Sequence, residues 1–365
     1  MKKIYICGLA ASGKGLMKQL LDGHSKLCMV PFQGFILKSL MTYDFVSITS
    51  NPRFLNPYRT EYFKYMPFFN IVEGNSVYKI NFDEFARNIY YNYDLYIASR
   101  SKRLWGEAGK GVESLVEFQF DYPRFEEDWF NALFAKQVNI SIEEFLDVMY
   151  DCFINNWKNK YIISKDVKAV FTTVQNGIAP INWLLKNTAN SKLLLMERNG
   201  VGFSYAMANK HAVRSREYPS LYNLLLINSL KEYRRVIYSD EIRSNPRLLI
   251  VDFDKLVLDT HNTMIKVAEF LEMEYEDILI KATLNTVPLE SGGVRFTGKI
   301  NENPYESLPQ SALDFLEYLY YGPDAKDGRC KQFYLFACAS KQKILHQVSL
   351  WGQRFQRLIE YIRRD

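Results

Sequence analysis

The chain alternates short apolar runs with stretches in which apolar residues recur every three or four positions. The first run, Ile4 to Cys7, has the length and composition of a buried strand. It breaks at Gly8 into a small-residue loop, Leu9-Ala10-Ala11-Ser12-Gly13-Lys14-Gly15. Leu16, Met17, Leu20 and Leu21 then fall on one helical face, and Gly23 suits that helix's C-cap. Further apolar runs at Lys168 to Thr173, Lys192 to Met196 and Leu248 to Asp252 predict buried parallel strands. Between and after them, Ile178 to Lys186, Tyr218 to Tyr238 and Thr260 to Leu271 carry helical spacing. Strands alternating with helices predict an α/β fold: a P-loop-type parallel sheet flanked by helices.

Residues 31–165 differ in texture. They are rich in Tyr, Phe and Trp, including Tyr58, Tyr62, Phe63, Tyr90 and Tyr91, and prolines such as Pro52, Pro57, Pro67 and Pro123 punctuate them. Glu143 to Trp157 has helical spacing, with Phe145, Leu146, Met149, Phe153 and Trp157 on one stripe. This stretch is expected to be a mostly helical insertion or cap within a single domain spanning 1–365. Its aromatics either pack the cap's own core or stack on a sugar or other acceptor. The C-terminal stretch Ile344 to Ile362 repeats the amphipathic pattern, with a basic face that is either solvated or meets an acidic partner or membrane.

Composition narrows the function classes. At 365 residues and 48% hydrophobic, the chain can bury a full core. A net charge of +5 attracts an anionic ligand, yet no dense Lys/Arg run suggests nucleic acid as a partner. The five cysteines are scattered and include no C-x-x-C, which argues against a zinc site or disulfide framework and fits a reducing compartment. The apolar stretch after Met1 is too short for a signal peptide, and no window reaches the roughly 20 apolar residues of a membrane span. A cytoplasmic chain without an integral membrane segment is expected.

The loop carries the chemistry. Strand, Gly-rich loop and helix make an anion cradle, in which loop N–H groups and the positive end of the helix dipole converge. Lys14 adds a full charge. A nucleotide-triphosphatase P-loop needs G-x-x-x-x-G-K followed by Ser or Thr. Gly8, Gly13 and Lys14 fit, but Gly15 lacks the hydroxyl that holds Mg²⁺ in those enzymes. That favours a phosphate ester handled without a metal. A second anion site is suggested by Arg198, after the run Lys192 to Met196, since ligands bind at the carboxyl ends of parallel strands and Arg grips phosphate in bidentate fashion. Ser204 either donates to the same anion or caps a helix. Ser291 to Lys299, Gly-rich and carrying Arg295 and Lys299, is either a loop that folds over an anionic ligand or an ordinary charged surface loop.

These residues resemble a known family. Gly8-x-x-x-Ser12-Gly13-x-x-Leu16-Met17-x-x-Leu20-Leu21-Asp22-x-His24 resembles the 5′-phosphosulfate loop of sulfotransferases, with the tyrosylprotein and carbohydrate branches closest. Arg198-Asn199 resembles the family's 3′-phosphate motif, Leu249 to Asp254 with Thr260 to Leu271 its late strand–helix unit, and Ser291 to Lys299 its Gly-rich basic loop. The resemblance implies 3′-phosphoadenylyl sulfate (PAPS) as co-substrate and a hydroxyl or amine acceptor, on a small molecule or glycan. It implies that Ala11, Ser12, Gly13, Lys14, Gly15 and Leu16 hold the 5′-phosphosulfate, with Lys14 as the catalytic cation. Arg198, Ser204 and Arg295 would hold the 3′-phosphate. Three departures stand out: the family usually has Thr where Lys14 and Gly15 stand, often a cation at the place of Ala11, and a Ser farther from its Arg than Ser204 is from Arg198.

No carboxylate occurs from Ser25 to Phe35, where the family often carries its base. The base therefore stays open among His24, His211, Asp44, Glu113 and Glu117, and a capping or packing role also suits His24. Two other functions remain: a small-molecule kinase with a degenerate P-loop, and a non-catalytic nucleotide-binding protein of the same fold.

Overall fold

The computed structural model describes residues 1–9, 12–30, 68–73, 76–81, 122–135, 139–157, 166–174, 179–198, 239–284 and 287–288. Contacts divide the chain into two compact units. One comprises Met1–Glu197 with Asp240–Ile300, the other Arg198–Ser239 with Asn301–Asp365. All the strands and helices named below belong to the first.

Its centre is a five-stranded sheet: β1 (Lys2–Cys7), β2 (Leu27–Met29), β6 (Ala169–Thr173), β7 (Ser191–Glu197) and β8 (Leu248–Asp252), in the order β2-β6-β1-β7-β8. Every neighbouring pair is parallel. Among the described residues the α-helices are α1 (Lys14–Leu21), α2 (Tyr122–Ala135), α3 (Ile142–Asn156), α4 (Ala179–Asn187), α5 (Asp240–Arg243), α6 (Phe253–Leu258) and α7 (Thr260–Leu271). The fold is therefore a parallel sheet flanked by helices. After β1 the chain moves toward the β2 edge, and after β7 toward the β8 edge. A crevice outside the carboxyl ends of β1 and β7 follows from that reversal.

Alternation along β1 assigns the layers. Ile4 and Ile6 join Leu194, Met196 and Phe171 in a core completed by Leu16, Met17 and Leu20 of α1 and Met264, Val267 and Leu271 of α7. Lys3 points to the other face, where its ammonium meets Glu143 and Asp147 of α3 at 3.0 and 2.8 Å. The stretch 31–165 thus contributes a helix that packs directly on the main sheet. α3 starts with a capping box, in which the Ser141 hydroxyl accepts from Glu144 N–H and the Glu144 carboxylate accepts from Ser141 N–H.

The same stretch also holds a small sheet. β3 (Phe68–Glu73) pairs antiparallel with β4 (Ser76–Asn81) and parallel with β5 (Asn139–Ser141). Aromatics on α2, on α3 and at its C-cap pack on one another: Phe125 stacks on Trp129 at 5.6 Å, Trp129 meets Phe145, and Phe153 meets Trp157 at 5.1 Å. These five side chains are buried and so are packed rather than open to an acceptor. Tyr58 to Phe63, Tyr90, Tyr91, Tyr218 to Tyr238 and Ile344 to Ile362 lie outside the described residues. Among the described residues no helix is long and apolar enough to cross a membrane.

Candidate anion-binding site

β1 ends at Cys7, and the loop turns at two glycines with positive φ, Gly8 at 133° and Gly13 at 100°. Only glycine adopts these angles without strain. Space gives a second reason. A Cβ on Gly8 would come within 2.7 Å of Ser12 Oγ and 2.8 Å of the Met196 carbonyl, and one on Gly13 would enter the Phe253 ring. The loop is therefore clamped between the ends of β7 and β8. Gly23 differs from the C-cap expectation: Asp22 is the cap residue of α1, and Gly23 is required instead because a Cβ there would sit 2.5 Å from Ile278.

The start of α1 is built unlike an ordinary helix N-terminus. Gly13 is its N-cap, no side chain caps it, and no acidic residue lies in its first turn. The first residue is instead Lys14, a cation at the positive end of the helix dipole, where an anionic side chain would be stabilising. That arrangement forgoes helix stability and suits an external anion. Gly15 is exposed, and a Cβ on it would meet nothing within 4 Å. Steric packing does not demand glycine there.

Ser12 is 2% exposed, and its Oγ has no hydrogen-bond partner. A buried hydroxyl left so costs about 1–3 kcal/mol, which a bound oxyanion would recover. Lys14 Nζ donates to the carbonyls of Gly8 (2.6 Å) and Val174 (2.8 Å), fastening the loop to the residue after β6. Its charge thus sits at the carboxyl edge of the sheet. Burial pushes the Cys7 thiol up to about 12 although Lys14 acts the other way, so Cys7 is a neutral thiol beside the loop.

Glu197 ends β7, paired in register with Asp252 at the end of β8. Burial holds its carboxyl above the usual range, Asp252 adds to that, and Arg243 and Lys255 oppose it. Composition gave no hint of this group; the readable signal is a carboxylate closing an apolar run at a strand's carboxyl end.

His24 lies at the far end of α1 and is 1% exposed. Its Nδ1 accepts from Lys26 N–H at 3.0 Å, so Nε2 donates to the Glu274 carbonyl at 2.9 Å. A packing role fits, and α1 separates the ring from Lys14 by about 12 Å at the usual helical rise. Arg198 follows β7 directly and opens the second unit. Ala11, Ser204, Arg295, the loop Ser291 to Lys299, His211, Asp44, Glu113 and Glu117 lie outside the described residues.

No protein-family model and no curated protein matches the sequence. Among solved structures, the chain is similar to a sulfotransferase domain from the curacin biosynthetic pathway, with 13% identity, TM-score 0.41, and coverage of 82% of this chain and 83% of that one. It is also similar to a sulfotransferase domain of the Synechococcus PCC 7002 olefin synthase, with 11% identity, TM-score 0.39, and coverage of 91% and 92%. A Mycobacterium avium sulfotransferase matches at 10% identity and TM-score 0.37, over 76% of this chain and 66% of that one. At such values these likenesses carry no weight for activity.

Proposed function

We propose that the chain is a sulfotransferase that moves a sulfuryl group from 3′-phosphoadenylyl sulfate to a hydroxyl or amine of a small molecule or glycan. The observation that carries this reading is the loop before α1. It combines a buried, unpartnered Ser12 hydroxyl, an uncapped helix start and the Lys14 charge, with glycine where a magnesium-binding hydroxyl would stand. The motif running from Gly8 to His24 gives that anion site its phosphosulfate character.

In this reading the N–H groups from Ser12 to Leu16, with the Ser12 hydroxyl, hold the 5′-phosphate. Lys14 exchanges its carbonyl contacts for the stronger charge-assisted bonds of the ligand and neutralises charge building on the bridging oxygen. Arg198 holds the 3′-phosphate, with Ser204 and Arg295 as its further partners. Residues 31–165 supply the acceptor side. Sulfuryl transfer, like phosphoryl transfer, then depends on in-line positioning and charge stabilisation.

A thermal-shift titration tests the binding half. 3′,5′-Bisphosphoadenosine should raise melting without magnesium, by an amount equivalent to about 2.7 kcal/mol at a hundredfold excess over Kd. Stabilisation by ATP with magnesium alone would instead make the chain a kinase. Lys14→Ala should lower sulfuryl transfer by about 10²- to 10³-fold, the size of one electrostatic stabiliser. An unchanged rate would remove Lys14 from the mechanism.

A further inference from the structure

Sulfuryl transfer to a neutral hydroxyl needs a group that takes the acceptor's proton, and the histidine at the end of α1 is committed elsewhere. We infer that Glu197, at the carboxyl end of β7, is that proton acceptor; the inference rests on the function proposed above.

Position is the first ground. β1 and β7 are neighbours in register up to Cys7 opposite Leu195, so Glu197 stands two residues past that pair, abreast of the loop. The loop touches the residues on either side of the Glu197–Asp252 pair. Gly8 lies against the Met196 carbonyl, and Gly13 against the Phe253 ring. Glu197 therefore stands at the carboxyl end of β7, beside the β1–β7 junction where the chain reverses direction across the sheet, the place where open parallel sheets bind ligands.

Commitment separates the two carboxylates. Asp252 caps α6, accepting from Asp254 N–H at 2.8 Å and Lys255 N–H at 3.1 Å. Glu197 is half-buried and, among the described residues, accepts no hydrogen bond. One carboxylate holds the helix and the other is left for chemistry. Burial, the first cause of its raised pKa, also strengthens it as a base; Asp252 adds to the rise, and Arg243 and Lys255 oppose it. The alternative is that Glu197 balances the charges of Arg243 and Lys255 and does nothing more.

The step balances without a further reactant. The acceptor oxygen forms a bond to sulfur, and the bond from sulfur to the bridging oxygen breaks with its electron pair left on the 5′-phosphate. The hydroxyl proton passes to the Glu197 carboxylate and from there to water as product leaves.

The test compares the unmodified chain, Glu197→Gln and Glu197→Asp. Release of 3′,5′-bisphosphoadenosine from 3′-phosphoadenylyl sulfate is followed with phenol, with N-acetylglucosamine and with water as acceptors, from pH 5 to 9. The melting shift with 3′,5′-bisphosphoadenosine is read in parallel. Glu197→Gln should keep the melting shift, lose about 10²- to 10⁴-fold in turnover, and lose the acid limb of the kcat/KM profile. Glu197→Asp should restore part of the rate and the limb. Unchanged turnover and profile in Glu197→Gln would overturn the inference. So would a Glu197→Gln chain that loses its melting shift or its cooperative melting together with its turnover, since that outcome makes Glu197 structural. An unmodified chain that shows the shift but releases nothing with any acceptor sinks the catalytic inference and leaves nucleotide binding standing. A chain that shows neither sinks the function proposed above, and Glu197 with it.

Discussion

The two edges of the main sheet are both lined with charge, and they use it differently. At the amino edge a cation stands at or just before the start of each strand: Lys3 in β1, Lys26 before β2, Lys168 before β6, Lys192 in β7 and Arg247 before β8. Each is partnered. Lys3 meets Glu143 and Asp147, Lys26 and Lys168 meet Asp166, and Lys192 meets Glu272. Arg247 donates to the carbonyls of Leu185, Thr188 and Ala189. At the carboxyl edge, Ser12 Oγ has no hydrogen-bond partner, and among the described residues Glu197 accepts no hydrogen bond. One edge satisfies its own polar groups and holds the fold. The other leaves them for something else, at a cost in stability that the first edge offsets. Substitutions should therefore divide by edge: losses of stability alone at the amino edge, losses of ligand binding or turnover at the carboxyl edge.

The largest effect should come from Gly13, where the carboxyl edge is also rigid. Gly13→Ala forces a side chain into a left-handed backbone and into the Phe253 ring. Backbone strain of about 1–3 kcal/mol and overpacking of about 1–3 kcal/mol add to about 4 kcal/mol of lost stability. Phe253→Ala in the same chain should recover the overpacking share and leave the strain. Urea unfolding measures both. A Gly13→Ala chain with unaltered stability would mean that the loop is not clamped.

Next is Lys3→Met, which leaves Glu143 and Asp147 facing a methionine. Removing one partner of a buried ion pair costs about 3–5 kcal/mol, and the partly exposed carboxylates place this site near 3 kcal/mol. The shift that 3′,5′-bisphosphoadenosine adds to melting should survive. Loss of that shift in Lys3→Met would break the division between the edges.

Acid should act on the amino edge first. Burial works to raise the Glu143 carboxyl, but the N–H groups of Asn190 and Ala189 and the Lys3 ammonium outweigh it and hold the group below its ordinary range. A carboxylate with a depressed folded pKa contributes stability that is present above its unfolded value, near pH 4.5, and is lost as pH falls through the folded one. Melting temperature should fall from about pH 5 downward, and Glu143→Gln should start lower and lose less over the same range. Glu197 is shifted the opposite way, so Glu197→Gln should melt slightly higher at neutral pH. Equal acid slopes for Glu143→Gln and the unmodified chain would remove Glu143 from the account.

Sequence periodicity carried much of this fold. β8 and α7 occupy Leu248–Asp252 and Thr260–Leu271, the expected bounds, and α3 lies within one residue of its expected span. These elements carry clear apolar runs or faces, and Ser141 and Asp259 cap the two helices, so local chemistry decides them. β2 and β5 were not legible because three residues make no period; neighbouring strands hold them. β3 and β4 were hidden in a stretch whose aromatics mask alternation. The cradle was readable because its backbone demands glycines at fixed places. Glu143 and Glu197 were not. Glu143 reads as a solvated helix charge, and its partner Lys3 is 140 residues away. Glu197 takes its place from the register of β7 with β1 and β8, which no local window contains.

Gly15 gives the finest test of the division, since it lies two residues from Gly13 in the same loop and should behave in the opposite way. Gly13 is fixed by backbone angle and by the Phe253 ring, whereas a Cβ at position 15 meets open space and α1 already continues through it. Serine is the better helix former by a few tenths of a kcal/mol, so Gly15→Ser should leave stability within about 0.5 kcal/mol of the unmodified chain. What it adds is the hydroxyl that P-loop enzymes use on magnesium. Melting should then respond to ATP with magnesium in Gly15→Ser and not in the unmodified chain, while the response to 3′,5′-bisphosphoadenosine persists in both. A marked loss of stability would show that the space over Gly15 is not open. An equal magnesium–ATP response in both chains would show that glycine at this position does not set which phosphate ester the cradle takes.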